Sequence, residues 1–160
     1  MNMKVTKDDV GKVLASIQRL VGQEVLVGIP AEKSHREDGE PVNNAQLGYI
    51  HEFGSPQANI PARPFLIPGV EAVEDRVAER LKNAATAALA GKKEVVDSEL
   101  IGVGLTAQAA VRHQITSGDH VELAPRTLAA RRKRGRTETD PLVDTGKLRN
   151  SINYVIREKE

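Results

Sequence analysis

Four prolines crowd into thirteen residues, Pro56, Pro61, Pro64 and Pro68, and they limit what this chain can fold into. Each one removes a backbone donor and holds φ near −65°. Each also pushes the residue before it toward extended geometry. The sequence therefore predicts a stiff, extended arm over 55–68 rather than a strand or a helix. Its apolar side chains, Ile60, Phe65, Leu66 and Ile67, need cover. That cover is either the arm's own core, the commoner behaviour of loops, or a neighbouring surface. A pre-stiffened segment loses little entropy on docking.

The rest of the chain is arranged around this arm. Just before it, Leu47, Ile50 and Phe53 recur at helical spacing, with Asn43 or Asn44 as a cap and Gly54 as a stop. Further upstream, Val10, Val13, Leu14, Ile17, Leu20 and Val21 form one stripe of an amphipathic helix over 7–21. Residues 23–30 then read as a strand with Val25, Val27 and Ile29 on one face. Residues 31–42 hold six charged side chains and turn formers, which predicts a mobile, solvated loop.

After the arm, Gly69–Gly91 reads as one long helix with acids at its start. A second helix follows, from Glu94 or Val95 to Ser117, and the two make an antiparallel hairpin. Gly102 and Gly104 weaken the second helix by roughly 1 kcal/mol each, which tight packing against the first would explain. A short basic helix over 125–134 comes next. Asp144 or Thr145 then caps a helical turn over 146–150, and 151–157 forms a strand suited to pair with 23–29. The fold class is α+β: one domain with a small antiparallel or mixed sheet, flanking helices and a long helical hairpin.

Chemistry is sparse. Cysteine is absent, which excludes disulfides and thiolate sites. His51-Glu52 lacks the second histidine of a zinc-protease motif, since position 55 is Ser55. Asp144-Thr145-Gly146-Lys147 fails as a phosphate loop, because Pro141 stands at the earlier glycine position and Leu148 replaces the hydroxyl residue. No Gly-x-Ser-x-Gly occurs. These absences argue against an enzyme, and no cofactor or metal is expected. The N-terminus has no signal-peptide character and no apolar run is long enough for a membrane span, so a cytoplasmic origin is expected.

One charge feature remains. Arg126, Arg131, Arg132, Lys133, Arg134 and Arg136 fall within eleven residues containing no acid. Such a run suits DNA phosphates or an acidic partner, although the net charge of +1 gives no whole-molecule field and no aromatic interleaves the run.

Several segments together resemble tailed-bacteriophage neck proteins of the tail-completion, tail-terminator or head–tail joining kind. They are Tyr49-Ile50-His51-Glu52-Phe53-Gly54, Ile60-Pro61-Ala62-Arg63-Pro64-Phe65-Leu66, the helical middle, Leu123-Ala124-Pro125-Arg126-Thr127-Leu128, and Pro141-Leu142-Val143-Asp144-Thr145-Gly146-Lys147-Leu148-Arg149-Asn150-Ser151-Ile152. The resemblance spans most of 25–155. It implies a structural virion protein forming a ring, often hexameric, between portal and tail, with DNA passing through the lumen. The partners implied are further copies of the chain, portal or adaptor proteins and tail proteins, and the implied location is the neck of a virion assembled in the host cytoplasm. Phe53, Pro61, Arg63, Pro64, Phe65 and Leu66 are then the expected subunit or partner contacts. Another virion morphogenesis factor, or a small nucleic-acid-binding protein using 126–136, are the alternatives.

Overall fold

The computed structural model describes residues 9–35 and 41–159. In chain order the elements are α1 (Val10–Val21), β1 (Gln23–Gly28), α2 (Ala31–Ser34), α3 (Asn44–Phe53), α4 (Leu66–Glu71), α5 (Glu74–Leu89), α6 (Lys93–Ser117), α7 (Pro125–Lys133), α8 (Lys147–Ser151) and β2 (Asn153–Glu158), with a 3-10 turn at Pro56–Ala58. The two strands pair antiparallel, so the α+β expectation holds, including the strand pairing and the long helix. By its contacts the chain divides into two compact units, to each of which α6 and both strands contribute residues.

The first unit comprises residues 9–26, 74–106 and 155–159. Its core is built of small side chains: Ala87, Ala88, Val96 and Leu100 are buried, and Ile17, Leu20, Val25 and Ile156 pack against them. In the α5–α6 hairpin, Ala87 and Ala88 of α5 share this cluster with Val96 and Leu100 of α6. A Cβ on Gly102 would meet only the flexible guanidinium end of Arg80 of α5, which reaches past the glycine to Glu99 at 3.0 Å. Helix α1 sits differently from its expected stripe. Val10, Leu14 and Val21 are exposed, and Ser16 is the buried residue. The helix is turned so that Ile17 and Leu20 pack on the cluster of Ala87, Ala88, Val96 and Leu100.

The second unit comprises residues 27–73 and 107–154. Larger side chains fill it: Phe65, Val111, Ile115, Leu142, Leu148 and Ile152 are buried together, with Val27, Ile29, Leu66 and Val143 packed around them. The predicted long helix over 69–91 is broken at Ala72–Val73, and its first part is the separate α4. A Cβ on Gly69 would lie 2.7 Å from Val111 Cα, so α4 lies backbone-to-backbone on α6, and the break lets Val73 turn inward.

The arm over 55–68 is less irregular than its prolines suggest. Pro56 opens the 3-10 turn and Pro68 sits in the first turn of α4, where a missing N–H costs nothing because no intrahelical acceptor exists for it. Only residues 61–65 have no regular assignment. Ser55 and Ile60 bridge, closing a small loop. In the charged stretch 31–42, Ala31–Ser34 forms the helical turn α2, whereas 36–40 lie outside the described residues. The expected cap before α8 is also revised: Gly146, in the left-handed region at φ 73°, is the N-cap, and Asp144 pairs with Arg136 instead.

Candidate functional site: a basic cleft and an aromatic groove

Helix α3 borders both surface features of the second unit. Its cap is a full capping box, with Gln46 N–H donating to Asn43 Oδ1 at 2.8 Å and Asn43 N–H donating to Gln46 Oε1 at 2.9 Å. The buried stripe of α3 is Asn44, Gly48 and Glu52, not its apolar residues. Gly48 lets Ile29 and Phe65 approach; a Cβ there would lie 2.9 Å from Ile29 Cδ1. Glu52 is 7% exposed, and its carboxylate accepts three backbone N–H groups: Phe65 and Leu66 on Oε2 at 2.8 Å each, and Ile67 on Oε1 at 3.0 Å. Helix α4 begins at those residues. One buried anion therefore satisfies its orphan donors, where negative charge is favoured. Sequence reading passed over Glu52. The available signal was an acid in the last turn of a helix, just ahead of a segment ending in unpaired N–H groups.

The predicted contact residues, Phe53 and those of the arm, divide four ways. Phe65 is 2% exposed and Arg63 is 5% exposed, so neither side chain is available to a neighbour. Phe65 anchors the core. Arg63 donates from Nε to Val121 O at 2.6 Å and from Nη2 to Glu122 O at 2.9 Å, tying the arm to the crossover after α6. Phe53 and Leu66 border one surface feature, Pro61 lines another, and Pro64 is exposed.

The first feature is an apolar groove of about 250 Å³ between α3 and the start of α4, with Ile29, Phe65 and Ile152 in its floor. On its border Tyr49 and Phe53 lie with ring centroids 4.9 Å apart, tilted by 50°. They are 67% and 57% exposed, and Ile67 nearby is 48% exposed. Half of the chain's four aromatic side chains thus stand in solvent as one pair.

The second feature is a cleft of about 390 Å³. Here the arm, the basic run and the Pro-x-x-Asp-Thr-Gly segment, three separate sequence features, come together: Pro61 and Arg63; Arg126, Arg131 and Arg134; Asp144 to Leu148. Helix α7 turns the face of Arg126, Ala130 and Arg134 toward the cleft, since residues four apart share a helix face. The basic run does not act as a unit. Arg131 is drawn inside its own chain, 8% exposed. Its Nη1 donates to the carbonyls of Glu138 (3.1 Å), Asp140 (2.9 Å) and Val143 (3.0 Å), and its Nη2 to Pro141 O at 3.3 Å. It shapes the loop after α7 and is withheld from any DNA. Arg136 is taken up by Asp144 at 2.5 Å. Arg126, Arg132, Lys133 and Arg134 remain exposed.

His51 borders the cleft, its Nδ1 buried without a hydrogen-bond partner. Burial first, then electrostatic interaction with Arg63 and with His120, lower its pKa from 6.5 to about 4, so it is neutral at pH 7. Arg63 is lowered too, by burial and then by the charge of Arg131. Among the described residues no group of three or more His, Cys, Asp or Glu could hold a metal ion, and no helix is long and apolar enough to cross a membrane. Compared with models of known protein families, with curated proteins and with solved structures, the chain matches none.

Proposed function

We propose that the chain is a structural virion protein, a ring-forming component of the phage head–tail junction through which DNA passes, acting by assembly and not by catalysis. The observation that carries this reading is the exposed Tyr49–Phe53 pair beside an apolar groove. In a chain this poor in aromatics, their placement outside the core has a large cost in lost burial, about 2 kcal/mol per ring, unless another surface covers them. Support also comes from the order of the neck-protein-like segments, whose marked residues build the arm's anchors: Glu52, Arg63, Phe65 and, at the far end, Leu148 and Ile152.

In this reading the groove takes a neighbouring copy, with Phe53 and Leu66 as contacts and Phe65 supporting them from beneath. A heterologous contact of this kind closes into a ring when its rotation is commensurate. Portal or adaptor and tail proteins are the partners above and below, and the site of action is the virion neck after assembly in the host cytoplasm. Arg132 and Lys133 are the exposed basic residues proposed to meet DNA in the lumen. The test is mass measurement of the purified protein and of its Phe53→Asp variant. Assembly by the parent and its loss in the variant support the reading; a monomeric parent at all concentrations overturns it. A small nucleic-acid-binding protein would instead show duplex binding that falls steeply with salt and is indifferent to Phe53.

A further inference from the structure

We infer that the cleft lined by α7 is a docking site for an acidic peptide segment carrying an apolar anchor, supplied by a partner polypeptide. Charge complementarity commits the occupant to an anion. Arg63, Arg126, Arg131, Arg134 and Lys147 line the cleft against Asp144, and that carboxylate is already shared by Arg136 at 2.5 Å and Arg131 at 3.7 Å. No other carboxylate among the described residues lines it.

The disposition of donors favours a peptide over a phosphate chain. Arg63 and Arg131 spend their guanidinium donors on six backbone carbonyls between them, so the inner cleft offers positive potential but few open N–H groups. Leu47, Ile60, Leu123, Leu142 and Leu148 give the cleft an apolar lining, beside the neutral polar side chains of Asn59, Thr127 and Thr145. The open donors are on the rim, at Arg126 in the first turn of α7 and Arg134 at its C-cap, about two helical turns and about 12 Å from each other along the helix axis. That is the spacing of acidic side chains on a short extended segment. An apolar residue between them enters the cleft. A duplex could touch the rim but would leave the apolar interior unused.

This inference does not depend on ring formation. The experiment is fluorescence anisotropy with a labelled peptide carrying Glu, Leu and Glu at every second position with Ser between them, so that all three share one face, its Lys-for-Glu counterpart, and a labelled DNA duplex. Two variants are compared with the parent: Arg126→Glu with Arg134→Glu, and Ala130→Trp, which blocks the cleft and leaves its charge alone. All three positions are exposed, and unchanged thermal melting verifies that both variants fold. The acidic peptide is expected to bind, and each variant to weaken it by about tenfold or more. The Lys counterpart is expected not to bind, and duplex affinity to be insensitive to Ala130→Trp. Absence of peptide binding, equal binding of the Lys counterpart, peptide affinity untouched by Ala130→Trp, or a duplex that loses affinity in both variants would each overturn the assignment.

Discussion

Glu52 and Arg131 solve the same problem with opposite charges. Each region contains a stretch whose backbone has no ladder to join. At the end of the arm the unmet groups are donors, and one carboxylate collects three N–H groups. In the loop after α7 they are acceptors, and one guanidinium collects four carbonyls. The difference teaches why each residue type is used. A carboxylate holds two oxygens and fits the converging N–H groups of a helix start. A guanidinium carries five donors in a planar fork and can reach across a wider ring of carbonyls. Both regions look like contact surfaces in the sequence, and both keep their central charged residue for internal use.

The largest effect is expected at Arg131. Arg131→Met should cost about 3–4 kcal/mol in chemical denaturation, because four acceptors lose a charged donor at once. Arg131→Lys should recover only part, since an ammonium lacks the fork. A loss below about 1 kcal/mol would mean the carbonyls are satisfied without it.

Acidification tests the ground between the two anchors. His51 titrates near 4 in the folded chain against 6.5 when unfolded. Between those pH values the unfolded chain binds more protons, so stability is full above about 6.5 and falls as pH drops toward 4. The total loss from this group is roughly 3 kcal/mol. His51→Gln should flatten that part of the pH profile measured by denaturant melts.

A smaller effect is expected at Glu52, where Gln keeps one acceptor oxygen and loses the charge. Glu52→Gln should cost about 2 kcal/mol and lower Tm by about 4–8 °C. Amide exchange should rise first at residues 65–67. If this cost exceeds that of Arg131→Met, unmet donors rather than unmet acceptors dominate the pair. The smallest expected change is at the rim: Arg126→Glu with Arg134→Glu should alter stability by no more than about 0.5 kcal/mol, separating external from internal arginines within one run.

Much of the fold was legible where a single local rule decides. The capping box at Asn43, the stop at Gly54, both strands and the α5–α6 hairpin follow from spacing and turn chemistry. The losses came where tertiary contacts choose between readings that periodicity leaves equal. Helix α1 offers an apolar stripe, yet Ser16 is its buried residue, and only Ile17 and Leu20 of the stripe join the alanine-rich core. The 69–91 pattern is continuous, yet the approach of Gly69 to Val111 requires a break. Arg63 and Arg131 read as surface charges because nothing in a linear sequence reports which carbonyls converge on them. The cleft was legible only in parts: its arm, its basic run and its Asp-Thr-Gly turn were each marked, but their meeting depends on the fold.

We propose that the exposed Tyr49–Phe53 pair and its groove hold copies of this chain together. Sedimentation velocity on the parent and on Phe53→Asp, with melting curves to verify folding, is the direct test. A closed oligomer is expected for the parent and a folded monomer for the variant. The same mass for both proteins, whether monomer or ring, would contradict it.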